Sequence, residues 1–438
     1  MGNVLPIPGP ALRDDGGAGA ITDAGGLHLH QLRLHAEYGG VVRFQLPGVG
    51  VAVSVADPLV LEQTAHIDER PASLFAFLEP LCEAGNLQVI GAEEHGPWRR
   101  VLLEVLAGRP SHKRHFGEFV SLVEGLAERW GGAGGDAVLL QKDLTALSLR
   151  MICAYALGGA GGGVVDAEKV VDAFEVVLSE DGGTTRASLA LDYLRSTVDR
   201  VIAAREEGGR RADRSDLISA LLAAGTSPAR IRDTAMVTML AAHHTTGVAV
   251  SWTLHLLGRH PEAAERVAAE LDRVLGERSA PDYGDLRELT YLEMVLKESM
   301  RLYPPGPYGA REATEDMVLD GADGTYEIPA GTTIFYPFWA VHMNPDHWPE
   351  PARFVPERFT PEAVAQRSRF AYVPFGLGPR SCEGAGLAMV EAQLTLAVLL
   401  KRFRFRPVAG HEVTPVERFV LWAADDIPMV VTPRAVGD

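Results

Sequence analysis

The stretch Phe375 to Phe403, FGLGPRSCEGAGLAMVEAQLTLAVLLKRF, constrains the fold of this chain more than any other. It begins as a glycine-rich loop, passes one cysteine, and continues as an apolar segment with leucine and valine at helical spacing. Cys382 therefore lies just before a helix N-terminus, where unpaired amides and the positive end of the helix dipole favour a thiolate. Gly376 permits a tight turn under the sulfur, and Gly384 permits close approach of a flat, bulky group. Taken alone, such a cysteine is more often a buried structural thiol.

Composition narrows the class of protein. The chain has 438 residues, 47% of them hydrophobic, which is enough for a large core and, by length alone, for two or three domains. Its three cysteines form neither a disulfide framework nor a metal-type spacing, as expected in the reducing cytoplasm. Charges interrupt each apolar segment before membrane-spanning length, so we expect no membrane anchor. A formal net charge of −17 argues against nucleic acid as a partner.

The periodicity predicts a mainly helical chain with a few short strands. In chain order, we expect a flexible lead-in over residues 1–26, a helix over 27–38, two strands over 41–55, a helix after the N-cap Asp57, a packed loop over 73–87, two amphipathic helices over 164–204, a long helix over 228–260, and a closing hairpin over 416–433 with Trp422 near its tip.

The long helix contains AAHHTT, residues 241–246, in an otherwise apolar run. At about 1.5 Å per residue the helix is long enough to cross a domain, so these polar side chains should be buried. Buried histidine and threonine are costly unless they are partnered. Either histidine alone is consistent with a satisfied core residue.

In each of two further pairs of residues, the spacing places both side chains on the same face of a predicted helix. His95 and Arg99 are four residues apart, and Glu298 and Arg301 are three apart. On an exposed helix, an ion pair at this spacing would contribute little.

Together, these motifs resemble the cytochrome P-450 family. The loop matches its haem-binding signature, AAHHTT its oxygen-activation motif, and the two pairs its H-x-x-x-R and E-x-x-R elements. The resemblance runs from about residue 28 to near the C-terminus. It implies a mainly α fold with small β-sheets, formed by one domain over residues 27–438. It also implies one haem b between the Cys382 loop and helix and the long central helix.

The resemblance implies a role for each residue of this chain that matches a family motif. Cys382 would be the axial thiolate ligand of the iron, and Thr245 with His244 would manage protons during oxygen activation. The expected haem-binding residues are His95, Arg99, Arg311, Arg380, Phe375, Gly376, Gly384 and Ala241. The expected structural triad is Glu298, Arg301 and Arg358. The expected substrate pocket comprises Phe75, Phe77, Leu78, Leu81, Val237, Leu240, Tyr308 and Trp422.

Two residues depart from the family pattern. Glu383 stands where the family usually has an apolar residue; its carboxylate either alters the potential of the iron or points to solvent, and we expect the latter. His244 stands where the family usually has an acid, a variant similar to the sterol 14-demethylase branch. It either relays protons as a neutral ring or points away and bonds a neighbour.

The resemblance implies a cytoplasmic, bacterial, monomeric monooxygenase that uses O2 and electrons from NAD(P)H through ferredoxin reductase and ferredoxin. Its substrate would be a hydrophobic terpenoid, steroid-like or polyketide compound of specialised metabolism, hydroxylated at an unactivated carbon. Two alternatives are a peroxide-driven or isomerising haem-thiolate enzyme and a non-catalytic haem sensor. The basic residues Arg99, Arg100, Arg109, Lys113 and Arg114 form either a docking patch for ferredoxin or a solvated helix face.

Overall fold

The computed structural model describes residues 4–106, 108–132, 135–158, 166–179, 184–207, 216–418 and 420–434. The helices are α1 Ala18–Ala24, α2 Leu27–Tyr38, α3 Pro58–Thr64, α4 Ala72–Phe75, α5 Ala92–Leu106, α6 Arg109–Gly131, α7 Leu140–Leu157, α8 Ala167–Ser179, α9 Thr185–Glu207, α10 Leu217–Ala223, α11 Pro228–Arg259, α12 Pro261–Leu275, α13 Thr290–Leu302, α14 Phe338–His342, α15 Pro361–Ala365 and α16 Ala385–Arg402. The strands are β1 Val4–Leu5, β2 Val41–Leu46, β3 Gly50–Val55, β4 Ala137–Leu139, β5 Gly309–Glu312, β6 Met317–Gly321, β7 Gly324–Ile328, β8 Thr333–Tyr336, β9 Phe403–Pro407, β10 Pro415–Arg418, β11 Val420–Ala423 and β12 Pro428–Pro433. The expected fold class, mainly α with small sheets, is confirmed.

The chain forms two compact units. The first contains Met1–Ala76, Met294–Cys382 and Val413–Asp425. Its main sheet has the order β2-β3-β8-β5, with β3 antiparallel to β2 and parallel to β8. A second sheet has the order β1-β7-β6, and β10 pairs with β11 as a hairpin. Apolar side chains of β3, α3, β7 and β8 form one core of this unit.

The second unit contains Phe77–Glu293, Glu383–Glu412 and Asp426–Asp438. Here α7 and α11 pack so closely that a Cβ atom on Gly247 would lie 2.6 Å from the Thr145 backbone nitrogen. Only glycine permits that approach. Ser148 Oγ of α7 donates a hydrogen bond to the Ala242 carbonyl oxygen at 2.8 Å. These contacts hold the AAHHTT segment of α11 against α7.

Local signals placed most elements correctly. Asp57 caps α3 by accepting a hydrogen bond from the Leu59 amide at 2.8 Å, and Pro228 opens α11. Among the described residues, no helix is both long and apolar enough to cross a lipid bilayer. The single domain expected over residues 27–438 stays a prediction.

Three local predictions were wrong. The lead-in contains β1 and α1, and the Pro8 carbonyl accepts a hydrogen bond from the Arg43 amide at 2.8 Å. The expected loop over 73–87 begins with α4 and a 3₁₀ turn over Ala76–Leu81. Trp422 is not at a hairpin tip, because it lies within β11 and pairs with Val416 of β10. Short helices and the register of a short hairpin are weakly marked by periodicity, and the Pro8–Arg43 bond joins segments that are distant in sequence.

Candidate functional site

The cysteine loop has the backbone that its glycines require. Gly376 and Gly378 have φ of 73° and 65°, in the left-handed region that favours glycine. A Cβ atom on Gly378 would lie 1.7 Å from the Ala65 carbonyl oxygen, so no other residue fits there. The Cys382 amide donates a hydrogen bond to the Phe375 carbonyl oxygen at 2.8 Å. This fold presents the Cys382 side chain at the surface of the first unit.

The other two cysteines lie in environments that disfavour a thiolate. Burial raises the pKa of the Cys82 thiol to about 11 and that of the Cys153 thiol to about 12. Cys153 is buried and Cys82 is half-buried, whereas Cys382 is exposed. Since a metal ligand must be deprotonated and accessible, Cys382 is the cysteine suited to that role.

Two predicted haem-binding arginines are buried near this loop in the first unit. Arg311 donates from Nε to the Ile67 carbonyl and from Nη2 to the Leu377 carbonyl, both at 3.2 Å. Arg380 donates from Nε to the Asp68 carbonyl at 2.7 Å. An accessible thiol and two buried guanidinium groups in one unit fit the donor set that an anionic haem with an axial thiolate needs.

The structure brings the predicted triad together in the first unit. Arg301 binds Glu298 through two hydrogen bonds of 2.7 Å, and both side chains are 0% exposed. Arg358 Nε lies 3.4 Å from Glu298 Oε1. Burial raises the pKa of the Glu298 carboxyl, and the bonds from Arg301 act against that rise. Arg301 also donates hydrogen bonds to the backbone carbonyl oxygens of His342, Pro351 and Arg353.

The central part of α11 is partly open, in contrast to the part that follows. Ala241 is exposed and both His244 and Thr245 are half-buried, whereas residues 246–257 are all buried. The Thr245 hydroxyl donates to the Ala241 carbonyl oxygen at 2.9 Å, which leaves its oxygen able to accept a hydrogen bond. Burial lowers the pKa of His244 to about 4, so the ring is neutral above that pH.

The neighbouring His243 is a residue that the sequence interpretation did not single out. Its side chain is buried, and its ring centroid lies 4.0 Å from that of His244. Burial lowers its pKa to about 2, with His244 as the second cause. His243 is therefore a neutral core residue next to the candidate relay.

Glu383 does not point to solvent, and that expectation was wrong. Within the second unit, Arg99 Nη1 donates to Glu383 Oε1, and the two side chains are only 13% and 15% exposed. Opposite charges attract strongly where water is partly excluded. One residue of the H-x-x-x-R pair, Arg99, therefore pairs with the carboxylate that follows the cysteine in the chain. The other, His95, is fully buried on α5.

The predicted pocket residues divide between the two units. In the second unit Leu78, Leu81, Val237 and Leu240 are buried, and the side chain of Phe77 lies outside the described part of the chain. In the first unit the Arg70 guanidinium lies 4.6 Å from the Phe75 ring centre. There Tyr308 donates to Glu417 of β10, while the hairpin register places Trp422 on the opposite face from Glu417.

Asp233 is a second residue whose role the sequence interpretation did not predict. Its buried carboxylate accepts hydrogen bonds from three successive amides, those of Glu83, Ala84 and Gly85, at 2.7, 2.6 and 3.0 Å. It thereby fixes residues 83–85 to α11 within the second unit. The start of α11, with Arg230 and Arg232 close to Asp233, reads as a solvated helix end, so the sequence carried no clear signal that this carboxylate is buried.

Comparison with known proteins agrees with these observations. The family model "Cytochrome P450" matches residues 166–427. Cyclooctat-9-en-7-ol 5-monooxygenase of Streptomyces melanosporofaciens is 38% identical over 58% of this chain and 55% of its own length. Mouse thromboxane-A synthase is 42% identical over 39% of this chain and 32% of its own length. The chain thus matches about half or less of these curated relatives.

Solved structures show the same fold. The crystal structure of the cytochrome P450DA heme domain superposes with a TM-score of 0.88 at 23% identity, covering 99% of this chain and 98% of that one. A mutant form of the same heme domain gives a TM-score of 0.86. The family model matches more than half of this chain, and the chain therefore belongs to the cytochrome P450 family.

Proposed function

We propose that the protein is a haem-thiolate monooxygenase that hydroxylates an unactivated carbon of a hydrophobic small molecule. The observation that carries the proposal is the Cys382 thiol, exposed at the end of a glycine-constrained loop. The other two thiols are disfavoured as ligands by burial.

The cofactor would be haem b, which supplies reductive O2 activation and insertion of one oxygen atom into a C–H bond. Cys382 would ligate its iron. Arg311, Arg380 and His95 would bind the propionates, with Arg99 shared between a propionate and Glu383. Phe375, Gly376, Gly384 and Ala241 would complete the haem contacts.

Thr245 and His244 would form the path by which protons enter the site. Thr245 directs its own hydrogen to the Ala241 carbonyl, so its oxygen faces the next donor as an acceptor. His244 is neutral at physiological pH, and a neutral imidazole both accepts and donates a proton through its two nitrogens. The pair would therefore relay protons without a permanent charge in α11.

We expect His244→Ala to retain haem and substrate binding while the fraction of NAD(P)H oxidation that yields product falls several-fold. Thr245→Ala should release more hydrogen peroxide, because the site then lacks the hydroxyl group that would direct protons. Product and peroxide are measured per NAD(P)H consumed. Because the pKa of His244 is lowered to about 4, coupling in the parent protein should be flat between about pH 5.5 and 8.

Thr253→Ala is a matched control for the threonine change. Thr253 lies in the same helix and donates to the Ala249 carbonyl oxygen at 2.7 Å, the same hydrogen bond that Thr245 makes. It should leave coupling unchanged. If His244→Ala couples as well as the parent protein, His244 plays no part in the relay.

We propose that the substrate is a terpenoid-like compound. Steroid-like and polyketide compounds are the alternatives. The buried leucine and valine residues among the predicted pocket residues suit an apolar skeleton. One relative is named for oxidising cyclooctat-9-en-7-ol. Titration with terpenoids, steroids and macrolides, followed by the Soret shift on displacement of iron-bound water, tests this class. A panel in which only compounds outside it shift the band would contradict the proposal.

Electrons would come from NAD(P)H through ferredoxin reductase and an acidic ferredoxin. Arg100, Arg109, Lys113 and Arg114 are exposed on α5 and α6, while Arg99 is withdrawn into its ion pair. A basic patch on a chain with net charge −17 would steer an acidic partner. Activity with peroxide but none with this electron chain would instead favour the peroxide-driven alternative.

Changing Arg100, Arg109 and Lys113 to Gln should slow reduction by ferredoxin about tenfold at low ionic strength and flatten its salt dependence. Stopped-flow absorbance measures the rate. The control is the double change of Arg404 and Arg406 to Gln, two exposed arginines on β9. Equal rates in the parent and the triple variant at low salt would exclude the patch as the docking site.

A further inference from the structure

A polar cluster in the first unit lies next to Tyr308, one of the predicted pocket residues. The Tyr308 hydroxyl donates to Glu417 of β10. The Leu421 amide of β11 donates to the Pro305 carbonyl oxygen at 3.0 Å, which holds the hairpin beside the segment that leads to Tyr308. The Tyr308 ring packs on Phe335, with the centroids 4.9 Å apart.

His28 completes the cluster. Its side chain is 1% exposed, and its Nδ1 lies 3.6 Å from Glu417 Oε2, beyond hydrogen-bond distance. The ring stacks on Trp339 at 5.7 Å between centroids. Within the described part of the chain, neither ring nitrogen of His28 forms a hydrogen bond, and Trp339 Nε1 has no acceptor.

Buried polar atoms without partners are costly, so a cluster of this kind is expected to bind something that satisfies them. Glu417 is 22% exposed and Tyr308 is half-buried, so a small molecule can reach both. The Tyr308 hydroxyl donates its hydrogen to Glu417, so the Tyr308 oxygen remains able to accept a hydrogen bond. Glu417 is also an acceptor, and an imidazole ring such as that of His28 carries at least one N–H donor.

We infer that Tyr308, Glu417 and His28 recognise a hydroxyl group on an otherwise apolar substrate. A hydroxyl donates one hydrogen bond to the Tyr308 oxygen, which the bond to Glu417 orients, and accepts another from His28, whereas a hydrocarbon leaves His28 without a partner. The inference rests on the proposed function, in which Tyr308 lines the substrate pocket. It implies that the reaction supplying this substrate has already placed a hydroxyl on the skeleton.

The test compares cedrol, its methyl ether and the hydrocarbon cedrane, together with borneol, its methyl ether and bornane. Dissociation constants come from Soret titration and, independently of the spectrum, from calorimetry on the haem-loaded protein. We expect at least one alcohol to bind the parent protein about tenfold more tightly than its ether, which cannot donate. Tyr308→Phe and Glu417→Gln should each reduce that preference to less than about threefold.

Arg418→Gln is the control, since Arg418 is exposed on the same strand and should leave the preference unchanged. If neither alcohol binds the parent protein more tightly than its ether, or if both variants keep the parent's preference, the inference is overturned. Circular dichroism identifies a variant that has lost its fold, and the other variant then decides. The ferrous carbonyl spectrum of the same samples tests the proposed function separately, because it depends on Cys382 and not on this cluster.

Discussion

Cys382→Ala is expected to abolish the red-shifted Soret band that marks a thiolate-ligated ferrous carbonyl complex. Alanine offers no ligand atom, and the buried Cys153 and half-buried Cys82 have thiol pKa values raised to about 12 and about 11. Neither is suited to replace the lost thiolate. Monooxygenase activity should fall below detection, since the variant lacks the thiolate that would ligate the haem iron. The measurement is the absorbance spectrum of the reduced, CO-treated protein.

Cys82→Ala and Cys153→Ala are the matched controls, because each removes one sulfur while leaving the 375–384 loop intact. Both should keep the band. Cys153 packs against Met239 at 3.9 Å between sulfur atoms, so its replacement should lower stability without changing the spectrum. A normal carbonyl spectrum in Cys382→Ala, or its loss in either control, would refute the assignment of the ligand.

The second large effect is expected at Arg301. Arg301→Ala should lower the free energy of unfolding by about 3–5 kcal/mol, because Glu298 is then left as a buried charge without its bidentate partner. The three carbonyl groups that Arg301 also binds lose their donor. Little haem-loaded protein should be recovered. Denaturant unfolding and the ratio of haem to protein after purification give the two measurements.

Arg301→Lys distinguishes charge from geometry. A lysine keeps the positive charge but not the planar pair of donors, so it should recover only part of the stability. Arg353→Ala is the exposed control, since Arg353 and its partner Glu350 are both 65% exposed and should contribute less than about 1 kcal/mol. An Arg301→Ala protein that is fully loaded and as heat-stable as the parent would show that the pair is not structural.

The features that sequence alone revealed depend on short-range spacing. Cys382 before a helix, the Asp57 cap of α3, and Glu298 with Arg301 one turn apart all concern residues within a few positions of one another. Hydrophobic periodicity and capping act over that range, and α11 was therefore expected within one residue of its end. Such local signals, in family order, were enough to predict the fold and to propose Cys382 as the iron ligand.

Only the tertiary structure decided which distant side chains meet. Glu383 was expected in solvent and pairs with Arg99, 284 positions earlier, because folding brings α5 beside the start of α16 within the second unit. Likewise Asp233 accepts hydrogen bonds from the amides of residues 83–85. Glu417 accepts a hydrogen bond from Tyr308 and lies close to His28. No periodic pattern reports such pairs, since their energy comes from mutual desolvation and hydrogen bonding after the backbone has folded. Local chemistry determined the helices and the candidate iron ligand, and long-range packing determined which distant charges and hydroxyls pair with one another.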